Sequence, residues 1–193
     1  VLKNIIQVAE KHDLLLISDE IYECFLYDEK PSSPAEFYPN TLVLNGFSKS
    51  AAMTGWRLGY AYGPPELIQA MMNIQMYSFV CAPSFAQYAG MEALNYDMED
   101  RREEYKSKRD RIYNGLKSHF NVVKPGGAFY IFPEAPNGDG DQFVMKAIEN
   151  DLLIVPGSVF SERKTHFRIS YAAHDDVIDR GIEILHRLAE ECG

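Results

Sequence analysis

One lysine, Lys49, stands among small residues in the stretch Gly46-Phe47-Ser48-Lys49-Ser50-Ala51-Ala52-Met53-Thr54-Gly55-Trp56-Arg57-Leu58-Gly59. It follows the apolar run Thr41-Leu42-Val43-Leu44, which reads as a buried strand. Arg57 comes eight positions after the lysine, ahead of a second short apolar run at 58–62. A primary amine in a tight pocket beside a fixed cation suits carbonyl chemistry on an anionic cofactor. Taken alone, Lys49 reads first as a surface residue of an ordinary loop, so the rest of the chain must decide.

Three more residues have types and places that suit chemistry. Asp19 ends the apolar run at 14–17, which is consistent with a strand buried on both faces of a parallel sheet. Open α/β sheets bind ligands at the carboxyl ends of their strands, so an acid there is a site candidate. The alternative is a cap on the next short helix. Tyr22 lies three residues on, on the same side if that turn is helical. Arg168 falls mid-strand between Phe167 and Ile169. A buried guanidinium needs an anionic partner, either a ligand gripped through two N–H groups or a structural salt bridge.

The elements that must position these groups follow from pattern. Residues 2–12 read as an amphipathic helix, and further helices are expected from Gly63-Pro64-Pro65-Glu66 to about 77 and from Pro83-Ser84 onward. The segment 98–119 is dense in charges of both signs at i, i+4 spacing, which predicts a solvated helix face. Beyond it, strands are predicted near 128–132, 152–157 and 166–171, with helices at about 141–149 and 175–191. Asn137-Gly138-Asp139-Gly140-Asp141 is a helix-capping turn; its likeness to a calcium loop lacks the bidentate Glu. The chain therefore divides into residues 1–97, an α/β portion, and residues 98–193, an α+β portion led by a linking helix.

Composition excludes some classes. At 193 residues, 46% hydrophobic and 24% charged, the chain can bury a real core. A formal net charge of −9 argues against a nucleic-acid partner. Cys24, Cys81 and Cys192 are scattered without metal-ligand spacing and fit a reducing compartment. No signal-peptide pattern opens the chain, and no apolar run approaches the ~18 residues of a spanning helix, so no membrane is expected and the location expected is cytoplasmic. The sequence starts with Val1 inside a helical pattern, so it is read as a piece of a longer protein.

With these residues in hand, the chain resembles the class I/II aminotransferases, the aspartate aminotransferase-like family of fold type I. Gly46, Ser48, Lys49, Arg57, Leu58 and Gly59 match that family's pyridoxal-phosphate attachment motif element by element. Ser18-Asp19-Glu20-Ile21-Tyr22 resembles its D-E-x-Y segment, with Asp19 thirty positions before the lysine. Pro156-Gly157-Ser158-Val159-Phe160 and Phe167-Arg168-Ile169-Ser170-Tyr171 resemble its PG-x-x-F and R-[IL]-S segments. Four motifs in the right order cover most of the chain.

The resemblance implies a fold and a set of roles. The fold implied is α/β: a partial large domain with a parallel or mixed sheet, then a small α+β carboxyl-terminal domain. Lys49 would form the Schiff base with pyridoxal 5'-phosphate and shuttle the substrate Cα proton. Asp19 would pair with the pyridinium nitrogen, keeping the ring an electron sink. Tyr22 would hydrogen-bond the ring's phenolic oxygen and lower the Schiff-base pKa. Arg57, with Ser48, would clamp the phosphate. Arg168 would bind the substrate α-carboxylate through a bidentate fork. Trp56 is expected to pack rather than to stack on the cofactor. The reaction implied is transfer of an amino group between an amino acid and a 2-oxo acid, in a homodimer. A β-lyase or synthase of the same fold type, or a non-catalytic interaction module, is the alternative.

Two departures matter. Some relatives carry a Ser at the position of Gly46 that also touches phosphate; glycine cannot. The family's amino-terminal half, with its glycine-containing phosphate turn, stacking aromatic ring and ring-contacting Asn, has no counterpart in the sequence. The chain by itself is therefore expected to be inactive.

Overall fold

Leu2, Ile6 and Ala9 recur at helical spacing, and the chain winds into helix α1 (Leu2–Lys11) with Ile6 and Ala9 buried. Asp13 takes a left-handed conformation (φ 50°) and turns the backbone into strand β1 (Leu16–Asp19). This computed structural model describes residues 1–191, so Cys192 lies outside the described residues. Two compact units are present, Val1–Met98 and Glu99–Gly193.

In the first unit β1 is followed by β2 (Thr41–Gly46) and β3 (Gly59–Tyr62), in sheet order β1-β2-β3. β1 and β2 run parallel with Asp19 opposite Leu44, and β3 returns antiparallel with Gly59 opposite Gly46. The sheet is thus mixed. A single helical turn α2 (Phe47–Ser50) follows β2 directly. Helix α3 (Pro65–Ser78) begins with proline at its first turn and Glu66 near its positive end, and α4 (Ser84–Leu94) follows. Ile6 and Ala9 of α1 pack with Tyr38, whose hydroxyl donates to the Leu14 carbonyl at 2.7 Å.

The run at 14–17 does not form the doubly buried strand that its apolar residues suggest. Leu14 spends its carbonyl on Tyr38 and on the Asn40 amide, and the ladder begins only where the Leu16 N–H meets the Asn40 carbonyl. β1 is the sheet's edge strand, and Ile17 is 64% exposed. Uniform hydrophobicity records where a strand lies, not what covers it.

The second unit opens with α5 (Glu99–Leu116) and continues through β4 (Tyr130–Ile131), α6 (Gly140–Glu149), β5 (Val155–Pro156), β6 (Phe167–Ser170) and α7 (Asp175–Glu190). Its sheet has the order β4-β6-β5, with both neighbours antiparallel to β6. Ile112, Leu116, Phe120, Phe143, Phe167, Leu185 and Leu188 form the core. Arg111 on α5 grips Asp175 and Asp179 on α7 at 2.9 and 2.8 Å. Asp139 caps α6 by accepting from the Gln142 N–H at 2.9 Å. The charged helix is largely solvated, as its pattern predicts, with one exception: Arg109 is 1% exposed. Among the described residues no helix is long and apolar enough to cross a membrane.

Candidate active site

The topology of the first sheet gathers the candidate residues at one edge. Because β1 and β2 are parallel, their carboxyl ends lie together, and antiparallel β3 starts at that same edge. Asp19 is the last residue of β1. Lys49 is the third residue after β2, and Arg57 is the second before β3. Three elements distant in sequence thus present an acid, an amine and a guanidinium along one rim, where open α/β sheets bind ligands.

The lysine loop is closed at its base and filled from within. The Phe47 N–H donates to the Leu58 carbonyl at 3.3 Å, and the Ala51 and Met53 N–H groups both donate to the Phe47 carbonyl at 3.1 and 3.2 Å. Ser50 Oγ donates to the Gly46 carbonyl at 3.3 Å. Phe47, Met53 and Leu58 turn inward and pack with Ala86 of α4. Burial of three large apolar side chains holds this loop to the helix. Lys49 and Ser48 remain half-buried at its first turn. Trp56 packs its ring against Phe85 of α4, with centroids 5.9 Å apart.

Arg57 sits at φ 52°, in the left-handed region that non-glycine residues seldom occupy. Its exposed guanidinium folds back so that Nη1 donates to the Thr54 carbonyl at 2.9 Å. The strained backbone turns the chain from the lysine loop into β3.

Asp19 does not cap the next short helix, Glu23–Phe25, which starts from Tyr22 without a side-chain cap. Its Oδ1 accepts from the Ile21 N–H at 3.2 Å, closing an Asx turn. That bond uses one carboxylate oxygen of an exposed side chain and leaves the other outside the turn. The ladder runs one residue further, through the Glu20 N–H to the Leu44 carbonyl at 2.9 Å. Glu20 accepts from Ser33 Oγ at 2.6 Å, and Glu23 accepts from the Asn45 amide at 2.6 Å, fixing the turn against the sheet. Tyr22 is half-buried at the head of the short helical turn Glu23–Phe25. A cavity of about 660 Å³ lies on the α4 side of the loop, lined by Phe47, Leu58, Tyr60, Cys81, Tyr88 and Met91. Its lining excludes Lys49, Asp19 and Arg57, so it is not where the amine and the acid meet.

In the second unit Arg168 occupies the central strand β6, opposite Val155, between the buried Phe167 and Ile169. No salt bridge holds it among the described residues. Two aromatic rings do: the guanidinium carbon lies 4.4 Å from the Tyr130 ring centre and 4.1 Å from that of Phe160. Cation–π contact orients a guanidinium without consuming its N–H donors. Those donors stay available for a carboxylate. The PG-x-x-F turn places Phe160. The Gly157 N–H donates to the His166 carbonyl at 2.7 Å, and a Cβ there would fall 2.5 Å from that oxygen, so only glycine fits. Ser158 Oγ donates to Asp141 Oδ1 at 2.5 Å, pinning the same turn to α6. Tyr130 and Phe160 are the residues that sequence reasoning did not assign. Tyr130 lies in the strand expected near 128–132 and Phe160 ends the PG-x-x-F segment, so both stretches were marked without a role for their rings.

The family described as Aminotransferase class I and II matches residues 1–185. A probable aspartate aminotransferase of Methanocaldococcus jannaschii is 43% identical over 98% of this chain and 53% of its own length. The aspartate aminotransferase of Pyrococcus abyssi is 36% identical over 98% of this chain and 52% of its own. The crystal structure of an aromatic aminotransferase from Pyrococcus horikoshii superposes with a TM-score of 0.93 at 36% identity, covering 98% of this chain and 55% of that one. The chain spans about half the length of the curated relatives it matches.

Proposed function

The chain belongs to the class I and II aminotransferase family, and we propose that it contributes Lys49, Asp19, Tyr22, Ser48, Arg57 and Arg168 to a pyridoxal-phosphate-dependent aminotransferase site. The observation that carries this reading is the convergence of Asp19, Lys49 and Arg57 on the carboxyl edge of one sheet. The donor set fits the group. Pyridoxal phosphate offers an aldehyde, a phosphate, a pyridine nitrogen and a phenolic oxygen. An amine, a guanidinium, a carboxylate and a phenol are their respective chemical complements. When bound, the cofactor supplies an electron sink for negative charge at a substrate carbon.

Each side chain then has a defined task. The Lys49 amine would hold the cofactor through its aldehyde group and would serve as the base that takes and returns the substrate Cα proton at Nζ. The carboxylate of Asp19 holds a proton on the pyridine nitrogen, using the oxygen that its turn leaves over. The Tyr22 hydroxyl donates to the phenolic oxygen. Arg57 and Ser48 bind the phosphate, the first through charge and the second through a hydroxyl donor. Arg168 binds the α-carboxylate through two N–H groups while its aromatic neighbours keep the guanidinium oriented.

The substrates in this reading are an amino acid and a 2-oxo acid, taken in turn. Assembly as a homodimer and a reducing, cytoplasmic setting belong to the same proposal; the free thiols of Cys24 and Cys81 suit the latter. The test is an assay of the polypeptide that carries this chain, with several amino-acid donors and one 2-oxo acceptor, scored for transfer against ammonia release. Transfer of the amino group without ammonia is expected. Ammonia release without transfer would point to a lyase and overturn the assignment.

A further inference from the structure

Arg109 is almost completely buried in a helix whose other charges are exposed or partly exposed. Burying a guanidinium is costly unless its donors are satisfied. Its Nε donates to Asp110 Oδ1 at 2.9 Å, and its Nη1 donates to the Pro125 carbonyl at 3.2 Å. Lys124 Nζ reaches the same Asp110 oxygen at 2.8 Å. Two consecutive residues, 124 and 125, are thereby tied to α5.

The far end of that segment is tied as firmly. Tyr171, with no exposed surface, donates its hydroxyl to the Ala128 carbonyl at 2.9 Å, and its N–H donates to the Phe129 carbonyl at 3.0 Å. Ala128 is held at φ 57°, a left-handed conformation that persists only where the surroundings over-determine it. The Phe129 ring packs on Tyr105 of α5. The next residue is Tyr130, which pairs with Ser170 in the ladder and lays its ring 4.4 Å from the Arg168 guanidinium. Arg109 and Arg168 are thus linked through the 124–130 segment, with the backbone of Gly126 and Gly127 joining its two tied ends.

We propose that Arg109 is a positioning residue for Arg168: by holding the Pro125 carbonyl it seats the 124–130 segment so that the Tyr130 ring lies against the guanidinium. The importance of this for a reaction rests on reading Arg168 as the carboxylate-binding residue, but the positioning itself does not. In this account Asp110 and Lys124 support Arg109 from outside, and Tyr171 fixes the other end.

The test uses the full chain labelled with 15N-arginine. Ring currents from Tyr130 and Phe160 displace the Arg168 Nε–H resonance, which is assigned by its loss in Arg168→Lys. Tyr130→Leu defines the part of the displacement due to that ring. Arg109→Gln is expected to move the resonance in the same direction, and Lys124→Ala, at an exposed site, to move it less in that direction. An Arg168 resonance that stays at the wild-type position in folded Arg109→Gln overturns the proposal. If Arg109→Gln does not fold, an unmoved resonance in Lys124→Ala overturns it instead. Addition of pyruvate separates the two claims. Wild-type chain is expected to show a saturable shift of Arg168, with weaker affinity in the Arg109 variant. No pyruvate shift alongside an intact Arg109 effect would refute the carboxylate reading and leave the positioning standing.

Discussion

Gly46 and Gly59 stand opposite each other in the register of β2 and β3, and a Cβ on Gly46 would lie 3.1 Å from the Gly59 Cα and 3.1 Å from the Leu58 carbonyl oxygen. The base of the lysine loop is therefore pinched to backbone contact. Gly46→Val would force these strands apart. Overpacking of this kind costs about 1–3 kcal/mol. The expected outcome is a lower unfolding midpoint with weaker binding of pyridoxal phosphate, measured by thermal denaturation and by absorbance titration. An unchanged midpoint would show that the pinch is not tight.

Arg57 combines a strained backbone with a proposed phosphate contact, so its replacement should separate stability from binding. A left-handed conformation costs an L-residue about 1–2 kcal/mol, which glycine avoids, though glycine orders at a greater entropic cost. Arg57→Gly is expected to be as stable as the parent or more so by up to about 1 kcal/mol. At the same time its preference for pyridoxal phosphate over pyridoxal should fall. An unchanged preference would remove Arg57 from the phosphate site.

The guanidinium of Arg168 differs from an ammonium in shape as well as charge. Arg168→Lys keeps the charge and loses the fork. In the polypeptide that carries this chain, KM for the amino acid is expected to rise about tenfold or more, since a charged hydrogen bond is worth about 1.5–3 kcal/mol. Phe160→Leu, at a half-exposed ring, is expected to raise KM by about two- to fivefold, in line with about 0.5–1 kcal/mol for a cation–π contact. In both variants kcat should change less than KM, the mark of lost uniform binding. A drop in kcat at constant KM would contradict the assignment.

The two units should lose stability at opposite ends of the pH scale. Burial, and then the charge of Glu23, raise the pKa of the Cys24 thiol and of the Tyr60 phenol above their ordinary values. Groups whose folded pKa is raised stabilise the fold below their unfolded pKa, and this is lost as pH climbs through the folded value. In the second unit burial opposes ionisation of Asp110, but hydrogen bonds from Lys124 and Arg109 outweigh it and lower its pKa. Hydrogen bonds from Lys108 and Arg101 lower that of Glu104. That stabilisation is present above the ordinary carboxylate range and disappears as pH falls. Hydrogen exchange resolved by peptide should show 1–98 loosening on the alkaline side and 99–191 on the acid side. The reverse order would refute the assignment. For the same reason an alkylating reagent at mildly alkaline pH should label exposed Cys81 before half-buried Cys24.

The placement of Asp19, Lys49 and Arg57 at one sheet edge was legible because each lies at the end of a short apolar run, at 14–17, 41–44 or 58–62; their cofactor roles came from the resemblance of four motifs to a family and not from spacing alone. Strand positions followed from short apolar runs. What the sequence did not disclose was the environment of each group. An apolar run such as 14–17 carries no mark of what covers each face, and in this chain Ile17 on the edge strand is 64% exposed. Arg109 sits among ten charged neighbours from 99 to 111 and looks like one more solvated charge, because its acceptor, a carbonyl at Pro125, is sixteen residues away. Arg168 was weighed between a salt bridge and a ligand. Its two aromatic partners come from segments thirty-eight residues before and eight residues before it, a contact that only the sheet brings together.

The central claim is that Lys49 is the covalent anchor, and chemical fixation tests it most directly. The polypeptide that carries this chain is mixed with pyridoxal phosphate, reduced with borohydride, digested and mapped by mass spectrometry. The account predicts one dominant pyridoxyl-bearing peptide with the mass on Lys49, lost in Lys49→Ala without transfer to another site. Label spread evenly over the surface lysines, unchanged by Lys49→Ala, would contradict it.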